Sequence, residues 1–222
     1  HPVPEEKARQ QALINFLIPI VKGWNTEQSV EITSLGVQVH GGMGFIEETG
    51  AAQHFRDARI TSIYEGTTGI QAMDLIGRKL AMENGATAKA LLEETKAVAG
   101  KLAGLGSDFA VFKANLEAGI VQAGQCVDFI LARFASEPQL PAAGSVPFLK
   151  LMGILLGGWQ MARAALVAAE RRADPAADVA FYEAKLVTAR FYGEHILSQT
   201  SGLAAAIIQG GESVLALADD AF

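Results

Sequence analysis

Apolar residues recur three and four positions apart along most of this chain, and no segment sustains the period-two alternation of a half-buried strand. That pattern confines the chain to an all-α architecture. Composition agrees. Half of the 222 residues are hydrophobic and only 7% are aromatic, with alanine and leucine abundant, a mixture that suits closely packed helices. With 19% charged residues the chain is globular rather than disordered, and it is long enough for one large domain or two small ones.

Punctuating residues place the helices. Leu13, Phe16, Leu17, Ile20 and Val21 share a face of a first helix over residues 5–21, which Pro19 should kink or shorten and Gly23 should stop. Asn25 and Thr26, with Gln28 in a capping-box position, predict a second helix to about His40, ended by Gly41, Gly42 and Gly44. A short helix is expected over residues 50–59, then irregular chain from Ile63 to Gly66. Thr67 or Thr68 should cap a helix buried through Ile70, Met73, Ile76 and Leu80. Asn84-Gly85 is a clear break and the expected boundary between domains 1–84 and 85–222. Beyond it, helices are expected over residues 87–105 and 107–134, the second turning Leu116, Ile120, Ala123, Val127, Ile130 and Phe134 inward. A loop at Pro138, Pro141 and Gly144 precedes a helix over residues 148–172. Asp174-Pro175 should open the next, to about Ser198, and one further short helix is expected in the tail from Gly202. Long helices on short connections are the pattern of an antiparallel four-helix bundle.

The net charge of −6 gives no general pull toward phosphate backbones or anionic membranes, and the adjacent basic pairs are only Arg78-Lys79 and Arg171-Arg172, so no nucleic-acid or membrane partner is expected. The most apolar run, Leu151 to Trp159, is short of the roughly 20 residues of a membrane span and reads as a core helix. Cys126 is the sole cysteine, which excludes an intrachain disulfide; in an apolar helical stretch it reads as a small buried hydrophobe. The chain opens on His1-Pro2, as a truncated or processed product or one with a tag remnant would. His54 and His195 have no partner at metal-ligand spacing, and no metal site is expected.

Residues 38–79 hold the chemistry. Gly41-Gly42 directly after a helix lets the backbone approach another group. Arg56-Asp57 with Arg59 places charges on a short helix. Tyr64-Glu65-Gly66-Thr67-Thr68 sets a carboxylate on irregular backbone just ahead of a helix start, where free N–H groups attract anionic or carbonyl oxygens. Beside such donors, and roofed by apolar groups, Glu65 could serve as a base. Each feature also has an ordinary reading: a solvated or capping glutamate, a glycine C-cap, a structural ion-pair network.

Together and in this order they resemble the C-terminal domain of acyl-CoA dehydrogenases. The family pattern is a Q-x-x-G-G-x-G-[FY] turn, then R-D-[AS]-[RK], then I-Y-E-G-T and a helix. The chain has Gln38, Gly41, Gly42, Gly44 and Phe45, then Arg56-Asp57-Ala58-Arg59, then Ile63-Tyr64-Glu65-Gly66-Thr67. The match covers about the first 80 residues. The resemblance implies that Glu65 is the base that removes the α-proton of an acyl-CoA thioester, that Gly66 contacts substrate, and that Gln38, Val39, His40, Gly41 and Gly42 meet the FAD of a neighbouring subunit. It implies that Thr67 and Thr68 contact the adenosine-diphosphate part of FAD. Gly69 and Ala72 depart from the Gln and Arg common in the family.

The resemblance further implies oxidation of acyl-CoA to trans-2-enoyl-CoA, an electron-transfer flavoprotein as partner, a homodimer or tetramer, and a cytoplasmic location in bacteria or the mitochondrial matrix in eukaryotes. Residues 85–222 resemble the extra C-terminal helical domain of a larger subgroup that includes 3-methylmercaptopropionyl-CoA dehydrogenases and alkylation-response relatives. The family's N-terminal helical and central β-domains are not in this sequence, so the chain alone is expected to be inactive and to retain no flavin. The alternatives are an oligomerisation or lid module without activity of its own, and an alkylation-response relative.

Overall fold

The computed structural model describes residues 3–81 and 83–221, with the side chain of Asp219 excepted. His1 and Pro2, on which the reading of the N-terminus rests, lie outside the described residues. The described chain is helical with no strand, as the periodicity requires.

Helix α1 runs without interruption from Pro4 to Val39. The expected stop at Gly23 and the cap at Asn25-Thr26 are both absent, for a tertiary reason. Gly23 is buried where a Cβ would stand 2.7 Å from Leu149 Cδ1, so it permits close packing and does not end the helix. The Thr26 hydroxyl donates back to the Lys22 carbonyl at 2.8 Å, and the Gln28 amide donates to Glu31. Pro19 is buried inside the helix, on the side that carries Phe16, Ile20 and Gly23, and does not end it.

A short helix α2 (Gly42–Phe45) and a 3-10 turn (Glu47–Thr49) lead into α3 (Ala51–Thr61), which packs on α1. Helix α4 (Thr68–Asp74) passes into a π-helical turn (Leu75–Leu80). That turn corrects the expected face: Ala72, Leu75, Ile76 and Leu80 are buried, while Ile70 and Met73 are exposed. The widened turn adds a residue to the helical period, so positions 70 and 73 fall out of phase with 76 and 80.

Asn84 and Gly85 both adopt the left-handed conformation, with φ of 51° and 76°, and make the turn into α5 (Ala86–Lys101). Helix α6 (Ala110–Phe134) follows a 3-10 turn at Ser107–Phe109 and buries five of the six expected positions, with Phe134 partly buried. The loop of Pro138 and Pro141 contains a short helix α7 (Gln139–Ala143), and α8 spans Ser145–Arg171. Asp178, not Asp174, caps α9 (Val179–Phe191), accepting from the Phe181 N–H at 3.1 Å. Asp174 instead accepts from the Ala176 N–H within its own turn, an Asx-type bond that competes with helix initiation. A π-helical turn (Tyr192–Ile196) and a 3-10 turn (Leu197–Gln199) connect α9 to α10 (Thr200–Gln209), and α11 (Gly211–Val214) follows.

Helix α8 is the central element, in contact with α1, α4, α5, α6, α9 and α10. The apolar run at Leu151–Trp159 lies within its 27 residues, which are long and apolar enough to cross a membrane; half of the most apolar window is buried inside the bundle, as a core helix requires. Phe16, Phe112, Phe148 and Leu75 belong to one cluster of buried residues that extends across Gly85.

Candidate functional site

The loop between α3 and α4 carries Glu65. Its entry is braced by Arg59, whose guanidinium donates to the buried Ser62 hydroxyl at 2.7 Å. Its exit is capped by Thr67, whose hydroxyl oxygen accepts from the Ile70 N–H at 3.4 Å. Between them Glu65 has φ of 55° and Gly66 φ of 89°. The left-handed conformation is costly for a residue with a Cβ, and surrounding bonds hold it here. Gln71 Nε2 donates to the Glu65 carbonyl at 3.2 Å, and Lys22 Nζ donates to the Gly66 carbonyl at 2.7 Å. The same ammonium lies 5.9 Å from the centroid of the Tyr64 ring. Thr68 donates to Glu27 Oε1, which ties the first turn of α4 to α1.

The Glu65 side chain is exposed, and among the described residues its carboxylate takes no hydrogen bond or ion pair. A cleft of about 570 Å³ between α1, α3, α4 and α8 is lined by Trp24, Glu27, Phe55, Thr68 and Lys150, among others; Thr68 reaches it and Glu65 does not.

The second expected group stands apart. His40 closes α1, its Nδ1 2.8 Å from the Gly36 carbonyl, and Gly41 turns the chain with φ of 61°. Gln38, Val39, His40, Gly41 and Gly42 are all exposed. A Cβ on Gly41 or Gly42 would meet no atom within 4 Å, so the backbone there is open to a ligand, whereas Gly44 is buried against the Val37 carbonyl. Lys22 marks the level of the Glu65 loop along α1, and from there to His40 the helix rises roughly 27 Å. One chain therefore brings together Glu65, Gly66, Thr67 and Thr68 but holds the glycine turn away from them.

Arg56 pairs with Glu47 through two bonds of 2.8 and 2.7 Å, both residues exposed, so the charged run serves as a structural clamp. His54 is exposed, and His195 stacks on Phe191 at 4.7 Å. No group of three His, Cys, Asp or Glu able to hold a metal occurs among the described residues. Cys126 is buried, which raises its thiol to about 11. Of the two departures, Ala72 is fully buried, so an arginine would not fit there, and Gly69 is exposed. Lys22 and Glu27 were not legible as site residues. They precede the loop by about forty positions, and no local spacing links them to it.

Comparison with known proteins places this arrangement. Residues 5–81 match the family described as "Acyl-CoA dehydrogenase, C-terminal domain", and residues 82–218 match "Acetyl-CoA dehydrogenase C-terminal like". The chain belongs to the acyl-CoA dehydrogenase family. It is 44% identical over 97% of its length to a 3-methylmercaptopropionyl-CoA dehydrogenase of Ruegeria pomeroyi, covering 36% of that protein. It is 32% identical over 82% of its length to a broad-specificity linear acyl-CoA dehydrogenase of Mycobacterium tuberculosis, covering 31% of it. A 55-residue stretch is 47% identical to the mitochondrial short-chain specific acyl-CoA dehydrogenase of Sus scrofa, over 25% of the chain and 13% of that enzyme. The chain thus spans about a third of the length of the acyl-CoA dehydrogenases it matches nearly end to end. The family is one of FAD-dependent oxidoreductases with bacterial and mitochondrial members.

Proposed function

We propose that this chain is the C-terminal part of an FAD-dependent acyl-CoA dehydrogenase that oxidises an acyl-CoA to the trans-2-enoyl-CoA, with Glu65 as the general base. The observation that carries the reading is the conformation of Glu65. A residue with a Cβ occupies a left-handed position, at a strain cost of about 1–2 kcal/mol, while its exposed carboxylate bonds to nothing among the described residues. The stability of the chain gains nothing from a glutamate there. A reacting group held toward a ligand accounts for it.

In the reaction, the Glu65 carboxylate takes a proton from the carbon next to the thioester carbonyl. The carbon–carbon double bond forms as the hydrogen on the next carbon leaves with its electron pair. FAD, when bound, supplies the acceptor for that hydride. Gly66 lets the thioester come close to the main chain, and Lys22 fixes the Gly66 carbonyl so that the loop keeps its shape. Thr67 and Thr68, together with the open backbone of Gln38, Val39, His40, Gly41 and Gly42, are the residues that would hold the flavin. The roughly 27 Å between the two groups fits a cofactor shared between subunits, the glycine turn serving the neighbour's site. Residues 1–84 carry this chemistry. Residues 85–222 act as its scaffold, since α8 packs on both α1 and α4. An electron-transfer flavoprotein would reoxidise the flavin, in the bacterial cytoplasm or the mitochondrial matrix.

The test is Glu65→Gln in a full-length enzyme that contains this sequence. Flavin reduction by acyl-CoA, followed by bleaching of its absorbance, is expected to slow by at least about 100-fold, the scale of losing general-base catalysis. Reduction at the parent rate would refute the assignment. The 222-residue chain alone is expected to be colourless.

A further inference from the structure

Glu65 and Gly66 follow one another at positive φ, a conformation that a glutamate does not keep unaided. The carboxylate itself does nothing to hold it, since it takes no hydrogen bond or ion pair among the described residues. The direction of the side chain is therefore set by the backbone on either side. On the entry side the Tyr64 N–H donates to the Ile60 carbonyl at 3.1 Å. On the exit side two successive carbonyls each receive one side-chain donor. Gln71 Nε2, from α4, holds that of Glu65 at 3.2 Å, and Lys22 Nζ, from the middle of α1, holds that of Gly66 at 2.7 Å. The peptide planes before and after the Gly66 Cα are thus both fixed, because neither peptide can turn without losing its donor. Gly66 leaves room for this arrangement and no more: a Cβ there would stand 2.9 Å from Gln71 Nε2.

Lys22 is the unusual member of the pair. Two other partly buried lysines, Lys79 and Lys113, stand by carboxylates, at 3.7 Å from Asp74 and 2.7 Å from Glu117. Lys22 has no such partner among the described residues and gives its proton to a main-chain carbonyl, a charge-assisted bond stronger than one between neutral groups. Its ammonium also faces the Tyr64 ring, so it touches the chain on both sides of Glu65. The turn of α1 that carries it is seated on α8. A Cβ at Gly23 would stand 2.7 Å from Leu149 Cδ1, and one at Gly153 would stand 2.4 Å from Trp24 Cγ. Close packing on the far side of the helix fixes where Lys22 begins its reach.

We propose that Lys22 and Gln71 are positioning residues for Glu65, which aim its carboxylate through the two carbonyls without touching it. The inference rests on the reading of Glu65 as the base, and it makes a specific demand on that reading: the two donors act on the chemical step, through Glu65, and not on binding.

The test uses the full-length enzyme that contains this sequence. Lys22→Met keeps an unbranched side chain and removes the donor. Gln71→Met does the same from α4 and leaves α1 as it is. Each is expected to slow flavin reduction by acyl-CoA by roughly 10–100-fold, the scale of a small misplacement of a reacting group. The dissociation constant of the non-reacting enoyl-CoA product, read from the flavin spectrum, should stay within about threefold of the parent, since binding does not need the aim of the carboxylate. In a Glu65→Gln background neither substitution should slow reduction further by more than about threefold, because the group they aim is gone. Either variant reducing at the parent rate, a loss of enoyl-CoA binding as large as the loss of rate, or an undiminished effect with Glu65→Gln present overturns the proposal. A parent rate in Glu65→Gln alone refutes the assignment of the base, so the two failures are told apart.

Discussion

Among the described residues, two other than glycine sit at positive φ, and they differ in what they reveal. Asn84 tolerates the left-handed region and makes the turn before Gly85, so its conformation is explained by structure. Glu65 is not, which is why its carboxylate stands out. Glu65→Gly should stabilise the 222-residue chain by roughly 0.5–1 kcal/mol, the backbone strain relieved less the added freedom of glycine when unfolded. Urea denaturation measures it, and a loss of stability would mean the glutamate side chain has a structural role. A second residue-scale effect concerns pH. Burial raises the Cys126 thiol from 9.0 to about 11 and the Tyr192 phenol from 10.0 to about 12. A group whose folded pKa is raised stabilises the fold fully below its unfolded pKa and loses that contribution as pH rises through the folded value. Stability should therefore be level from pH 7 to 9 and fall from pH 9 upward. Cys126→Ala should move the onset to about pH 10, where Tyr192 takes over; denaturant midpoints at half-unit steps would resolve the two.

At the scale of elements, glycine contacts govern how closely helices approach. A Cβ at Gly153 of α8 would stand 2.4 Å from Trp24 Cγ of α1, and one at Gly193 would stand 2.1 Å from Phe112 Cγ of α6. Gly100 in α5 has nothing within 4 Å of such a Cβ. The same substitution should thus have opposite signs. Gly153→Ala is expected to destabilise by about 1–3 kcal/mol through overpacking, and Gly100→Ala to stabilise by roughly 0.5 kcal/mol through helix propensity. Equal effects in thermal denaturation would show that α1 and α8 do not meet closely at Trp24. The π-helical turns are a second device of this scale. The one after α9 leaves the Gly193 carbonyl to accept from Asn115 Nδ2 at 2.9 Å, a bond to α6 that a regular helix would compete for.

In the whole molecule, the helices after Gly85 cover the apolar side of those before it. Phe16, Ile20, Leu75 and Ile76 belong to the same buried cluster as Phe112, Met152 and Leu155. Residues 1–84 alone would expose that surface, and α1 would lose both its contacts with α8 and the packing that carries it through Pro19. That segment should lack a cooperative thermal transition by circular dichroism and should aggregate, whereas the 222-residue chain melts in one step. A cooperative transition in the short segment would show that the two regions fold independently. The charged groups contribute little at this scale: the ion pairs are mostly solvent-exposed, as with Arg56 and Glu47, and such pairs are weak.

Local chemistry settled what acts within a turn of helix. Apolar spacing determined that the chain is helical, the Thr67 hydroxyl determined where α4 begins, Asn84-Gly85 determined a left-handed turn, and the order of residues 38–68 determined the family. Packing decided what those signals could not reach. Gly23 and Asn25 read as a break until Leu149 requires close approach and α1 continues through them. Ile70 and Met73 read as buried until the π-helical turn changes the phase. Lys22 has no local relation to Gly66, yet its ammonium reaches that carbonyl because α3 folds back along α1. Propensities act over a few residues, whereas burial and long-range bonds act only when distant segments meet, and here that meeting shaped the loop of Glu65.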